Sequence, residues 1–212
     1  MRLLEKIREI GIVPVIAISD VSKAVPLAKA LLAGDIPCAE ITFRTEEGEE
    51  SIKRIAQEVP EVLLAAGTVL TTDQADRAVK AGAKFVVSPG FNRKVVSHCI
   101  QNNILIVPGC STPTDMEAAL ELGLDTVKFF PAEQAGGLPY IKACAAPYSK
   151  LKFMPTGGIN EKNILAYLEF DKVIACGGSW MVAKELIDGR KWDEITKLCK
   201  KAAEIVKKSR NK

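Results

Sequence analysis

The sequence of 212 residues has little histidine, few aromatic residues and almost no net charge. It contains one histidine, 6% aromatic residues, and 29 Lys and Arg against 26 Asp and Glu, which leaves a formal charge of +3. So small a charge gives no strong attraction to nucleic acid or to an anionic membrane. The high apolar content of 48%, together with the low net charge, also excludes disorder as the main state. We therefore expect neither nucleic acid nor a membrane as a partner.

Closely spaced cysteines are missing as well. Six cysteines occur, but no two lie closer than 11 residues, so the chain has no CxxC pair. With His98 as its single histidine, the sequence lacks the ligand spacing of a Cys/His zinc site. A chain long enough to bury a large core rarely needs a disulfide scaffold. We expect buried, reduced cysteines in a cytoplasmic protein.

Long hydrophobic runs are also absent. The longest uncharged apolar run in the first half of the chain, Ile12–Ile18, has seven residues, far fewer than the ~18 that span a bilayer. Residues 1–10 mix charged side chains with leucines and lack the apolar centre of a secretory signal. We expect neither a membrane span nor a secretion signal.

Short apolar runs alternate with longer amphipathic stretches along the whole chain. The runs begin about 19–26 residues apart, which leaves room for a strand, a loop and a helix of three turns. This alternation predicts one domain over residues 1–212, folded as a (β/α)8 TIM barrel with an extra helix near residues 2–10. A doubly wound sheet is disfavoured because no G-x-G-x-x-G follows the first strand. The predicted strands are Ile12–Ile18, Cys38–Phe43, Val62–Ala66, Phe85–Val87, Ile104–Val107, Val127–Phe130, Phe153–Pro155 and Val173–Cys176.

Charged residues occur inside two of these strands. In the second strand, Glu40 and Arg44 share the face opposite the apolar residues, so both are expected to point into the barrel. In the sixth strand, Lys128 stands among large apolar residues and takes the inward face. Lysine is almost never buried without a reason, and burial favours the neutral amine that forms a Schiff base with a ketone. The alternative is a salt bridge between Lys128 and Glu40 that has no chemical role.

Glycine pairs mark the ends of the last two predicted strands. Gly157 and Gly158 follow the seventh strand, and Gly177, Gly178 and Ser179 follow the eighth. Glycine lets backbone N–H groups approach an anion closely, and the loops after strands 7 and 8 often bind phosphate in this fold. The alternative is two tight turns that need glycine for a positive φ. We interpret the pairs as a phosphate site.

Several other residues have a more ordinary interpretation. At the remaining strand ends, Thr68 is placed to hydrogen-bond a carboxylate or a water, and Pro89 to form a wall of the pocket. Ser111 or Thr112 is expected to cap the next helix. His98 falls in an amphipathic stretch and is expected to serve packing or the surface. The basic tail, residues 207–212, is expected to be frayed and solvated.

Seven short motifs occur in a characteristic order: Glu40–Thr45, Gly67–Val69, Ser88–Gly90, Pro108–Gly109, Lys128–Glu133, Pro155–Gly158 and Gly178–Trp180. Together they resemble the class I 2-dehydro-3-deoxy-6-phosphogluconate (KDPG) aldolases, also described as 4-hydroxy-2-oxoglutarate (KHG) aldolases. The resemblance extends from the first strand to the last helix. It implies a cytosolic (β/α)8 barrel that assembles as a homotrimer and needs neither a metal nor another cofactor.

The resemblance also implies roles for particular residues. Lys128 corresponds to the Schiff-base lysine and Glu40 to the acid/base glutamate, while Arg44 and Thr68 contact the carboxylate of pyruvate. The implied reactions are cleavage of KDPG to pyruvate and glyceraldehyde 3-phosphate, and of 4-hydroxy-2-oxoglutarate to pyruvate and glyoxylate. Further substrate contacts are expected at Pro89, Phe130 and Thr156, and phosphate contacts at Gly157, Gly158, Gly178 and Ser179.

Other functions stay open at the level of the sequence. An aldolase for the galactonate-derived epimer fits the same residues, because the sequence does not reveal the stereochemistry handled at C4. A non-catalytic barrel that binds sugar phosphates explains the glycine pairs but has no need of a lysine buried beside a glutamate. A metal-dependent aldolase with Glu40 as a ligand is poorly supported by a single histidine. The role of Ser19 and Asp20 at the end of the first strand is also open.

Overall fold

The computed structural model describes residues 3–210 and has an α/β architecture in which parallel strands alternate with helices. The strands are β1 (Ile12–Ile16), β2 (Cys38–Thr42), β3 (Leu63–Gly67), β4 (Phe85–Val87), β5 (Ile106–Val107), β6 (Thr126–Phe129), β7 (Lys152–Pro155) and β8 (Cys176–Gly178). The helices are α1 (Leu3–Ile10), α2 (Ala24–Ala33), α3 (Gly48–Glu58), α4 (Thr72–Ala81), α5 (Arg93–Gln101), α6 (Pro113–Glu121), α7 (Gly137–Ala145), α8 (Ile164–Leu168), α9 (Lys184–Asp188) and α10 (Trp192–Arg210).

Parallel pairing connects the strands in an order that follows the chain. A six-stranded sheet has the order β5-β4-β3-β2-β1-β8, and β6 and β7 form a second pair. Isolated parallel bridges link the two sheets, from Gly109 to Lys128 next to β5 and from Thr156 to Gly177 next to β7. The parallel arrangement brings the carboxyl ends of the strands to one side of the fold, which is where ligands bind in such sheets.

Buried apolar side chains form two clusters, one on each face of the strands. The larger, outer cluster lies between strands and helices and includes Ile41 of β2 and Phe129 of β6. The smaller, inner cluster includes Val13 and Cys38 at the start of their strands, together with the fully buried Ile7 of α1. Helix α1 therefore covers the amino ends of the strands and leaves the carboxyl ends free for a site.

The last strand lies later in the chain than its apolar pattern predicts. Val173–Cys176 was the expected strand, but β8 begins at Cys176 and ends at Gly178. Val173 forms an isolated bridge to β7. Both glycines of β8 pair with β1 and so belong to the sheet rather than to a loop. Apolar periodicity does not detect such residues, because glycine has no side chain to contribute to the pattern.

The expected helix cap and surface histidine are confirmed. Thr112 caps α6, and the Asp115 side chain accepts from the Thr112 backbone in a reciprocal capping box. His98 lies on α5, where its Nε2 is 2.7 Å from Oδ1 of Asp76 at the surface.

Within residues 3–210, no helix combines the length and the hydropathy that crossing a bilayer requires.

The basic tail does not fray where it was expected to. Helix α10 continues to Arg210, so residues 207–210 are helical. The Arg210 guanidinium donates to the carbonyl of Arg8 at 3.2 Å and to that of Ile174 at 2.8 Å, which fastens the end of the helix to the fold. Residues 211 and 212, the rest of the predicted tail, lie outside the described residues.

The cysteines are free and buried, as expected. Burial raises the pKa of Cys99 to about 11. It raises the pKa of Cys38 to about 12, with the negative charge of the nearby Glu40 as a second cause. These thiols are therefore packing residues that stay protonated at neutral pH.

Candidate active site

A pocket of about 310 Å³ opens among the carboxyl ends of the strands. Every residue proposed for the site from sequence lines it. Two further wall residues, Val15 and Ile159, are not predicted from the sequence, and Gly177 of the predicted glycine pair also lies on the wall. The alternation along β1 is the available signal for Val15, which is two positions from the inward Val13. The expected residues on its wall are Glu40, Arg44, Thr68, Pro89, Lys128, Phe130, Thr156, Gly157, Gly158, Gly178 and Ser179.

Lys128 lies inside β6 with its backbone held on both sides. Its N–H donates to the carbonyl of Pro108 at 2.9 Å, and its carbonyl accepts from the N–H of Cys110 at 2.8 Å. On the other edge, Lys128 pairs with Met154 of β7. The alternation along β6 sends the large apolar neighbours outward and the lysine side chain into the pocket. These contacts fix the backbone from which the Lys128 side chain extends.

The amine of Lys128 contacts the carboxylate of Glu40 across the pocket. Nζ lies 3.4 Å from Oε1, and the two side chains are 6% and 1% exposed. A pair this dry is a poor stabiliser, because desolvation of both charges offsets their attraction. Among residues 3–210, the second oxygen of Glu40, Oε2, is buried and has no hydrogen-bond partner. An orphaned carboxylate oxygen costs free energy, so its place in a pocket suits a ligand hydroxyl or a water.

Arg44 reaches the same pocket without pairing with Glu40. Its Nε donates to Oγ1 of Thr42 at 3.2 Å, and the Thr42 hydroxyl donates to the carbonyl of Ile16 at 3.0 Å. The Arg44 guanidinium forms no salt bridge to any residue in the range 3–210, and the side chain is exposed at the pocket mouth. A positioned guanidinium without a carboxylate partner is suited to a carboxylate ligand.

Thr68 directly follows β3 and lines the wall of the pocket. Its φ is 57°, in the left-handed region that a β-branched residue rarely adopts. Such conformations are strained and concentrate at functional sites, where the surroundings hold them in place. The half-buried Thr68 is therefore held in a defined position beside the pocket.

The loop after β7 has the features of an anion site. Gly157 and Gly158 have φ of 103° and 77°. The carbonyl of Gly157 accepts from the N–H of Glu133, and the carbonyl of Gly158 accepts from the side-chain amides of Asn160 and Asn163. Within the described part of the chain, the N–H of Gly158 has no acceptor. Unpartnered N–H groups in a glycine loop are available to bind an anion.

The two glycines of β8 serve a different purpose from those of the β7 loop. They have no positive φ, so the alternative of two tight turns fits the β7 loop but is wrong for β8. A Cβ on Gly177 would lie 2.2 Å from Oγ1 of Thr156, and one on Gly178 would lie 2.1 Å from the Trp180 ring. Glycine here makes room for neighbouring side chains. Oγ1 of Thr156 is buried and lacks a hydrogen-bond partner among the described residues.

The remaining wall is apolar near the amine and exposed at the far end. The Phe130 ring centroid lies 5.3 Å from Nζ of Lys128, a distance at which a cation is attracted to an aromatic face. Pro89 is half-buried, and Ser179 is exposed at the mouth.

Among residues 3–210, no group of three or more His, Cys, Asp or Glu side chains is arranged to hold a metal ion.

The fold and the pocket define an α/β protein with a buried lysine–carboxylate site at the carboxyl ends of parallel strands. The chain belongs to the KDPG and KHG aldolase family, whose model matches residues 3–198. It is 47% identical to the 2-dehydro-3-deoxy-phosphogluconate aldolase of Treponema pallidum, over 96% of this chain and 97% of that protein.

Two solved structures are also similar over nearly the full length. One is KDPG aldolase from Legionella pneumophila, with pyruvate captured at low pH as a covalent carbinolamine intermediate. It has a TM-score of 0.90 and 38% identity, covering 94% of this chain and 97% of that one. The other is the aldolase of Zymomonas mobilis ZM4 with 3-phosphoglycerate. It has a TM-score of 0.89 and 39% identity, covering 96% of each chain.

Proposed function

We propose that this chain is a class I aldolase that cleaves KDPG to pyruvate and glyceraldehyde 3-phosphate. The observation that carries the proposal is the amine of Lys128, 3.4 Å from Glu40 and nearly free of solvent, on the wall of an open pocket. The related Legionella enzyme holds pyruvate as a covalent carbinolamine. A carbinolamine is the adduct of an amine and a ketone before water is lost, so it supports covalent chemistry at the lysine of this chain.

The first half of the reaction takes place on Lys128. Its neutral amine attacks the C2 ketone of KDPG, and loss of water from the carbinolamine gives an iminium. The iminium draws electrons from the bond between C3 and C4. Because β6 is held on both edges, the backbone that carries Lys128 keeps its position while the substrate changes geometry.

Glu40 moves the protons that bond cleavage requires. Its unpartnered Oε2 accepts the proton of the C4 hydroxyl, directly or through a water, and the bond between C3 and C4 breaks. The aldehyde leaves, and the electron pair remains as an enamine on the pyruvate fragment. Glu40 returns a proton to C3 of the enamine, and water hydrolyses the resulting iminium to release pyruvate and the amine of Lys128.

The other predicted residues bind the two ends of the substrate. Arg44 and Thr68 hold the pyruvate carboxylate, since a guanidinium fork matches two carboxylate oxygens. Anchoring both ends converts binding free energy into alignment of the reacting carbons. Pro89, Phe130 and Thr156 contact the middle of the substrate, and Gly157, Gly158, Gly178 and Ser179 bind the phosphate.

Two observations support the phosphate assignment. Among the described residues, the N–H of Gly158 has no acceptor, and the related Zymomonas enzyme has been crystallised with 3-phosphoglycerate, a phosphorylated carboxylic acid. The name of the matched family, KDPG and KHG aldolase, favours 4-hydroxy-2-oxoglutarate as a second substrate, cleaved to pyruvate and glyoxylate.

We further propose that the strands close into a (β/α)8 barrel with α1 as an extra amino-terminal helix, in one domain of residues 1–212. The bridges that link β5 to β6 and β7 to β8 support this arrangement. Family membership supports a homotrimer, which sedimentation equilibrium tests. The buried free thiols suit a reducing, cytoplasmic location.

A substrate panel scored by pyruvate release tests the function. The panel contains KDPG, its galactonate-derived epimer and 4-hydroxy-2-oxoglutarate, each with and without a metal chelator. We expect the highest kcat/KM for KDPG, lower values for the others, and no effect of the chelator. Absence of pyruvate from all three would reject the aldolase in favour of a sugar-phosphate-binding protein. Loss of activity with chelator would favour the metal-dependent alternative.

A further inference from the structure

On the inner face of β3, the side chains become smaller toward the pocket. Leu63 and Ala65 belong to the inner cluster, and the alternation places Gly67 next on the same face. All three residues are buried. Side-chain size on this face therefore decreases from leucine through alanine to glycine, and the glycine lies next to the site.

Glu40 occupies the space that a side chain at Gly67 would fill. A Cβ built on Gly67 would lie 2.2 Å from Oε1, 2.6 Å from Cγ and 2.8 Å from Cδ of Glu40, and these are its three nearest heavy atoms. Real Cβ contacts are essentially never shorter than 3.0 Å. Gly67 has no positive φ, so its backbone conformation does not demand glycine. The requirement for glycine is one of space.

The backbone around this contact leaves little freedom to adjust. Gly67 pairs in register with Thr42 of β2, and its carbonyl accepts from the N–H of Phe43 at 2.8 Å. Strands β2 and β3 are therefore fixed relative to each other. If a side chain were added at Gly67, the Glu40 side chain, rather than either strand, would have to move.

We propose that Gly67 is a positioning residue that seats the Glu40 carboxylate against β3. This inference rests on the proposed function, in which Glu40 transfers protons. In the seated position, Oε1 lies 3.4 Å from Nζ of Lys128 while Oε2 has no partner among the described residues. A methyl group at Gly67 displaces the carboxylate and changes both relations, because it would lie 2.2 Å from Oε1 and 2.6 Å from Cγ.

The Gly67→Ala variant tests the proposal by separating catalysis from binding. We expect kcat for KDPG cleavage to fall about 10²-fold, the size of effect that a misplacement near 1 Å produces. KM is expected to change less than threefold, and borohydride still traps pyruvate on Lys128. The control is Gly90→Ala, where a Cβ meets no atom within 4 Å, and it is expected to match wild type. A Gly67→Ala enzyme with wild-type kcat overturns the proposal.

A double-mutant comparison identifies Glu40 as the route of the effect. If Gly67 acts through the Glu40 carboxylate, Gly67→Ala has little further effect on kcat in a Glu40→Gln background. A full additional loss of about 10²-fold in that background indicates general distortion of the site and overturns the proposal. Comparing the two single variants also separates this inference from the proposed function. Wild-type kcat in Glu40→Gln rejects the acid–base role, whereas a slow Glu40→Gln with a normal Gly67→Ala rejects only the positioning.

Thermal unfolding keeps the test valid if Gly67→Ala is unstable. The Tm loss caused by Gly67→Ala is measured in the wild-type and in the Glu40→Ala backgrounds. Because the nearest atoms to the new methyl group all belong to Glu40, the loss is expected to disappear when that side chain is removed. A Tm loss that is equal in the two backgrounds places the clash elsewhere and overturns the proposal.

Discussion

The amine end of the pocket, Lys128 and Glu40, and the glycine end, Gly157 and Gly158, are built from different groups. The amine end consists of two charged side chains that are 6% and 1% exposed and that approach each other from β2 and β6. The glycine end consists of backbone, with φ of 103° and 77° and, at Gly158, an N–H group that lacks an acceptor among residues 3–210. The first arrangement suits chemistry that makes and breaks bonds, and the second suits binding of an anion by backbone N–H groups.

This difference predicts that the two ends fail in different ways. A change at the amine end removes interactions made in the transition state and therefore lowers kcat. A change at the glycine end weakens binding of one substrate group and raises KM for substrates that carry it. The following variants test that division, beginning with the largest expected effect.

Replacing Lys128 is expected to have the largest effect. Lys128→Met keeps the bulk of the side chain but removes the nucleophile, so kcat for KDPG is expected to fall at least about 10⁴-fold. Pyruvate release measures the loss. The matched control, Lys200→Met on the exposed face of α10, is expected to behave as wild type. A Lys128→Met enzyme within tenfold of wild type would contradict the division.

Glu40→Gln is expected to slow turnover without preventing the covalent adduct. Glutamine keeps the shape but neither accepts the C4 hydroxyl proton nor returns one to C3, so kcat is expected to fall about 10²–10⁴-fold. Single-turnover kinetics combined with borohydride trapping separates adduct formation from cleavage. Glu204→Gln on the exposed face of α10 is the control. Equal loss of trapping and cleavage would show that Glu40 is needed before the carbon–carbon bond breaks.

Ser179→Ala tests the other side of the comparison, because Ser179 is one of the proposed phosphate contacts. Loss of one hydrogen bond to a charged phosphate at an exposed position is expected to raise KM for KDPG about tenfold. The KM for 4-hydroxy-2-oxoglutarate, which carries no phosphate, is expected to stay within twofold, so it serves as the internal control. If both substrates lose affinity equally, Ser179 does not read the phosphate.

The smallest expected effect concerns the dry interior beneath the amine end. Cys38 lies two positions before Glu40 on β2, and burial raises its pKa to about 12, so at pH 8 only about 10⁻⁴ of the thiol is ionised. Iodoacetamide at pH 8 is expected to leave Cys38 unmodified in the folded enzyme and to modify it after unfolding in guanidinium. Peptide mass spectrometry measures both. Rapid alkylation of Cys38 in the native enzyme would mean that solvent reaches the interior beneath the amine end.

The amine end could be predicted from the sequence because the pattern that reveals it lies within single strands. A lysine among apolar residues of one strand, and a glutamate opposite the apolar face of another, each violate the pattern that burial imposes. Alternation then gives the direction of each side chain without any knowledge of its neighbours. The structure brings both residues to one pocket, with Nζ and Oε1 3.4 Å apart.

The role of the glycine pair in β8 was predictable only in part, because it depends on contacts with side chains of other segments. Gly177 is needed for the hydroxyl of Thr156 and Gly178 for the ring of Trp180, and neither contact follows from local sequence. The same applies to Gly67, whose role depends on a side chain of the neighbouring strand. The anchoring of α10 by Arg210 on the carbonyl of Ile174 is likewise a tertiary contact that the composition of the tail does not reveal.

The most direct test of the central claim is the site of covalent capture. The enzyme is incubated with pyruvate, reduced with borohydride, digested and mapped by mass spectrometry. We predict a gain of about 72 Da, the reduced adduct of pyruvate with an amine, confined to the peptide that contains Lys128. An enzyme that releases pyruvate from KDPG yet gains no mass at Lys128, or gains it at another lysine, would contradict the account.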